Sequence, residues 1–167
     1  MNAMKWPDGR SLMLIEQAYG FEPLTDQPQR LYDIWDRWRD TRTMPSRQDV
    51  LPEDLRDLLP YVALMETAPD PGDCRYILTG TAVDAVTTKS YKARTIRETV
   101  ALGDPSTLAE IVAFYGTVIT THAPSFSRGN MAYQDRGYIA FDRVLLPLSA
   151  DGAAVDHILC GFFYQFS

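Results

Sequence analysis

Two histidines, two cysteines and a few polar residues set inside apolar runs are the side chains of this sequence best suited to chemistry. His157 follows Asp156, and a carboxylate beside an imidazole is how a general base is held in position. Both fall in a strand-like run, where neighbouring side chains project to opposite faces, so adjacency alone gives no working His–Asp pair. His122 ends a helical pattern, where a cationic side chain suits the helix dipole. Cys74 and Cys160 lie far apart in apolar contexts and read as buried free thiols, because a chain of this size needs no staple. The adjacent acids Glu53 and Asp54 open a helical turn, where the dipole accounts for them. The sequence contains no GxSxG elbow, no phosphate-binding glycine loop and no CxxC or HExxH spacing. On these residues the protein is expected not to be an enzyme, and neither a catalytic residue nor a metal site is assigned.

The elements around these residues are legible from periodicity. Residues 138–166 read as two long strands joined through Asp151-Gly152, a strong hairpin signal because Gly accepts the positive φ such turns need. Both faces of the second arm are apolar, which predicts a central strand covered on both sides. Gly161 in its middle marks a close approach of backbone or ligand. On the first arm Asp142 and Arg143 point to opposite faces, and Pro147 loosens the ladder. Upstream, Leu31, Ile34, Trp35 and Trp38 recur at i, i+3, i+4 and i+7, one stripe of a helix over 29–41. That stripe has two readings: packing on the sheet of its own domain, or docking on a partner chain.

Strands are expected over 61–67 and 74–79, linked by a Pro- and Gly-containing turn. A short helix follows around Val83 and Val86, then a polar loop over 87–94. Asp104-Pro105 starts a long helix reaching about residue 121, with Asp as cap and Pro in the first turn. Residues 125–134 supply a weaker strand. Two hairpin-like groups separated by helices give an α+β domain with a mainly antiparallel sheet of about five strands. The chain of 167 residues suits one domain, here 29–167, after an extension over 1–28 with a short helix at 11–20. A net charge of −6 argues against nucleic acid and anionic membrane as partners. With no run of about 20 apolar residues and no signal peptide at the start, the protein is expected in the cytoplasm.

In this order of elements the chain resembles a PAS domain, more specifically the small stand-alone bacterial PAS proteins that open with an amphipathic helix. The stretches that carry the likeness are Leu31-Tyr32-Asp33-Ile34-Trp35, Met44-Pro45-Ser46-Arg47 and Tyr76-Ile77-Leu78-Thr79-Gly80-Thr81. The final hairpin adds Leu145-Leu146-Pro147-Leu148-Ser149-Ala150-Asp151-Gly152 and Val155-Asp156-His157-Ile158-Leu159. The region after the second strand departs from the family, lacking its usual glycine.

The resemblance implies a five-stranded antiparallel sheet with helices cupped over one face, and a sensory or regulatory role exercised through a homodimer or a signalling partner. It places Leu31, Ile34, Trp35 and Trp38 at a partner or dimer interface. It also makes the cup a pocket for a small apolar ligand, lined by Tyr76, Leu78, Val83, Val86, Ile111, Tyr115, Val118, Phe141, Arg143 and Cys160. A filled core would use the same residues. Light-sensing relatives bind flavin beside an Asn-Cys pair, which is absent here, and haem-binding relatives use a histidine on the long helix, beyond whose end His122 falls. The cofactor therefore stays unknown. A small-molecule enzyme or a carrier of a hydrophobic metabolite on the same cup are the alternatives.

Overall fold

The computed structural model describes residues 23–166 apart from 88, 104 and 132–135. The short helix expected at 11–20, and most of the 1–28 extension, lie outside the described residues. Helix α1 (Gln27–Arg39) carries Pro28 in its first turn and Arg37 and Arg39 in its last, the placements that suit a helix start and the negative end of its dipole. It stops at Asp40, whose φ of 54° cannot continue a right-handed helix. A 3-10 turn (Arg47–Asp49) follows, where the Asp49 carboxylate accepts from the Ser46 backbone at 2.8 Å and from its hydroxyl at 3.1 Å. Helix α2 is one turn (Pro52–Leu55), continued by a 3-10 segment (Arg56–Tyr61).

The remaining order is β1 (Val62–Glu66), β2 (Arg75–Thr79), α3 (Thr81–Val86), α4 (Ile96–Ala101), α5 (Leu108–Thr121), β3 (Ser125–Met131), β4 (Arg136–Leu148) and β5 (His157–Phe166). All strands join one five-stranded sheet in the order β2-β1-β5-β4-β3, every neighbour antiparallel. The C-terminal strand is central, as its two apolar faces predict. Helix α4 was not anticipated. Its start, Thr95-Ile96-Arg97-Glu98, has the spacing of a capping box, and the Thr95 hydroxyl accepts from the Glu98 backbone at 3.1 Å.

The register assigns each side chain to a face. Phe162, Cys160 and Ile158 of β5 share a face with Arg143, Leu145 and Pro147 of β4. Leu159, Gly161 and Phe163 share the other with Leu146, Val144 and Asp142. Helix α1 lies on this second face. Leu31 and Trp35 are buried there, and the Trp35 indole donates to the Pro147 carbonyl at 2.9 Å. Trp38 is buried too, its indole donating to Asp54 at 2.8 Å. Asp142, also on this face and 4% exposed, accepts from Arg128 at 2.8 Å and from the Leu24 backbone at 2.7 Å. That arrangement places the carboxylate next to Arg143 in sequence on the opposite side of the sheet.

Candidate functional site

Helices α3, α4 and α5 close over the first face of the sheet and leave a small cavity beneath them. Its walls are Tyr76, Phe141, Arg143, Phe162 and Tyr164 from the strands, and Val83, Ile96, Thr99, Val100, Ile111 and Tyr115 from the helices; Thr87 and Tyr91 close one side. The free volume is about 30 Å³, room for about two water molecules. The cup is thus close to filled.

Of the residues expected to line the cup, Tyr76, Val83, Ile111, Tyr115, Phe141 and Arg143 do converge on this volume. Val86, Val118 and Cys160 are buried between sheet and helices without bordering it. Leu78 is a correction: it is 52% exposed and lies on the other face. The cause is a bulge. Leu78 pairs with Leu64, but Tyr76 pairs with Met65, so Ile77 is an extra residue and the alternation reverses across it.

The lining residues that sequence reasoning missed have identifiable signals. Phe162 and Tyr164 share a face with Cys160 by simple alternation. Ile96, Thr99 and Val100 arrive on the unanticipated α4. Thr87 and Tyr91 sit in the stretch read as a polar loop. That stretch runs beside β2, with Tyr76 donating its backbone N–H to Arg94 at 2.9 Å and accepting from Ala93 at 2.8 Å. The pairing brings the Tyr91 ring to 5.5 Å from Tyr76. Within that stretch a non-glycine residue, Ala93, takes a φ of 68°.

The cup's electrostatics centre on Arg143, which is 8% exposed. Its guanidinium lies 5.1 Å from the Phe141 ring centre and 5.2 Å from that of Phe114. Nη1 donates to Ser127 at 3.3 Å, and Nε has no hydrogen-bond partner. Tyr115 is fully enclosed beside Tyr76 and the Cys160 thiol. Burial pushes the Tyr115 phenol well above its ordinary 10.0 and the Cys160 thiol above its ordinary 9.0, hydrogen bonding from Tyr115 opposing the latter in part. Cys74, away from the cup, is likewise raised by burial.

These shifts have a sign. An acid whose pKa is higher folded than unfolded holds its proton in the native state, so its contribution to stability is complete below the unfolded pKa. That contribution is lost as pH rises from there toward the folded value. Urea midpoints are expected to be flat with respect to these groups up to pH 8 and to fall above pH 9. A thiol reagent such as DTNB should label both cysteines only at the rate of unfolding; rapid labelling of native protein at pH 8 would show the thiols to be accessible.

Outside the cup, the Asp156–His157 pairing departs from expectation. His157 Nδ1 lies 2.7 Å from Asp156 Oδ1. Asp156 precedes the first residue of β5, so strand alternation does not separate the two. They border a groove on the α1 side of the sheet with Ser46, whose hydroxyl is engaged by Asp49. His122 is the C-cap of α5 at a φ of 59°, away from the cavity lining. The Leu31, Trp35 and Trp38 stripe packs on the chain's own sheet, with Ile34 half-buried against the same core. Beyond the reach of α1, Leu55, Leu59, Val62, Leu64, Leu78 and Leu159 border an apolar groove of about 470 Å³.

A family model described as PAS domain matches residues 25–162. The chain belongs to the PAS domain family. The PAS fold is found again in a solved structure of low sequence identity, and two others are reported beside it. The PAS domain of Bordetella pertussis BvgS aligns with a TM-score of 0.51 at 18% identity, covering 69% of this chain and 86% of that one. A sensory box sensor histidine kinase of Vibrio cholerae gives 0.49 at 12% identity, covering 69% and 89%. A Rhodobacter sphaeroides LOV protein gives 0.46 at 14% identity, covering 84% and 67%. No curated protein matches the chain. PAS domains are sensory modules, and this chain carries their five-stranded antiparallel sheet with helices over one face. No helix among the described residues is long and apolar enough to cross a membrane. The lining contains neither cysteine nor histidine, so it offers no thiol for a flavin adduct and no imidazole to ligate a haem iron.

Proposed function

We propose that this PAS domain is a cytoplasmic, non-enzymatic bacterial sensor that takes a small ligand into its cup. It passes occupancy on through contacts with a second copy or a signalling partner. The observation that carries the reading is the convergence of Tyr76, Tyr115, Thr99 and Arg143 on one small volume with mainly apolar walls, the usual composition of a ligand site. A guest larger than about two waters displaces part of the cover, in this reading the stretch from Lys89 to Ala101. It is tied to the Asp70–Thr79 region by the Tyr76–Arg94, Ala93–Tyr76 and Ile96–Cys74 backbone bonds, by Arg75, whose guanidinium donates to the Ala93 carbonyl, and by the Arg97–Asp70 ion pair. Outward movement of this cover changes the surface that a partner reads.

Native mass spectrometry of protein purified from its own host tests the ligand, and light scattering across a concentration series tests association. A stoichiometric added mass that disappears on denaturation is expected, with an average mass that rises with concentration. A bare chain of constant monomer mass in both measurements would leave the proposal without support.

A further inference from the structure

The cup holds a positive charge that nothing among the described residues balances. Arg143 is more than nine-tenths buried and lines the cavity. A buried guanidinium is ordinarily matched by a carboxylate, because an unpaired buried charge is costly. Here the neighbouring Asp142 faces the other side of the sheet and is occupied by Arg128 and the Leu24 backbone. The cavity lining includes no Asp or Glu. The partners Arg143 does have are two aromatic rings and one serine hydroxyl, the latter reached through Nη1. Nε is buried without a partner, and Nη2 makes no hydrogen bond with any described residue. Nε and Nη2 form the side-on fork of a guanidinium, whose two parallel N–H groups match the two oxygens of a carboxylate.

We propose that the cup recognises a small organic carboxylate, bound bidentately by the Nε and Nη2 edge of Arg143 with its carbon framework against Phe141, Phe162 and Tyr91. This rests on the cup being the ligand site and names the class of ligand. Ser127 and the Phe114 and Phe141 rings keep the guanidinium in place when the site is empty. Nε is closed to solvent in the present structure, so the acid reaches this edge as the cover moves.

The test is thermal unfolding of the full chain at fixed ionic strength, with sodium acetate and sodium benzoate as probes. Sodium chloride is the reference anion, and acetamide and benzamide are the neutral isosteres. At least one acid should raise Tm by roughly 5–10 °C at a hundredfold excess over its Kd, which titration calorimetry supplies. Its amide should shift Tm by less than a degree. Arg143→Met should melt cooperatively at or above the parent Tm, because an unbalanced charge is gone, and should lose the acid's effect. Arg143→Lys keeps the charge without the fork and should bind the acid at least tenfold more weakly; it decides the matter if Arg143→Met does not fold.

Acids that do no more than chloride overturn the proposal, as does a lysine variant with unchanged affinity. Equal shifts from acid and amide overturn it too, while leaving a neutral ligand in the cup and the sensory reading intact.

Discussion

Trp35→Ala is expected to lower stability by about 3–5 kcal/mol, the range for truncating a buried large aromatic. The side chain is 2% exposed on the sheet face opposite the cup. Its removal leaves a cavity beneath α1 and strips the Pro147 carbonyl of its indole donor. Against a total stability of about 5–15 kcal/mol, the variant should still fold but with a much lower urea midpoint. The loss should not depend on protein concentration, since the contacts lie within one chain. Trp38→Ala should cost less. It is 9% exposed, and water can replace its indole at the Asp54 carboxylate. A Trp35→Ala loss under 1 kcal/mol, or one that vanishes on dilution, would show that the stripe docks on another chain.

Gly80→Ala should be the most damaging glycine-to-alanine change among the described residues. A Cβ at Gly80 would stand 2.2 Å from the Pro60 carbonyl oxygen and 2.7 Å from that of Leu59. Both are backbone atoms of the 3-10 segment that leads into β1. Gly80 also donates its N–H to the Val62 carbonyl at 2.8 Å, so neither side can retreat without breaking the β1–β2 end of the sheet. A loss of about 3 kcal/mol is expected, at the top of the range for overpacking. Gly161→Ala makes the control. Its Cβ would meet Leu31 Cδ2 at 2.6 Å and Phe163 Cε2 at 2.8 Å, side-chain atoms that can yield in part, so a smaller loss of about 1–2 kcal/mol is expected. Urea melts of the two variants give the order directly; a Gly161→Ala loss larger than that of Gly80→Ala would contradict the backbone clash.

The two glycines show where sequence reasoning reached and where it stopped. Gly161 announces itself, because a glycine amid Val, Leu and Phe of a strand has to be making room, and the thing it makes room for is Leu31 of α1. Gly80 reads only as the end of a strand. Its neighbour comes from about twenty residues earlier, and no local pattern reports that contact. Tyr76 and Leu78 make the same point within one strand. Alternation puts them together, and an extra residue between them, set by pairing with β1, puts them on opposite faces.

Periodicity and turn chemistry in the chain itself determine the strands, the long helix, the apolar stripe of α1 and the central place of β5. Each depends on side chains a few residues apart. The tertiary structure alone decides that α1 covers the far face, that Thr87 and Tyr91 close the cup, and that Asp142 and Arg143 are parted by the sheet, one paired and one left with a free edge. Those outcomes depend on which distant segments share a surface, and charge balance across a buried cup is a property of that surface rather than of any stretch of sequence.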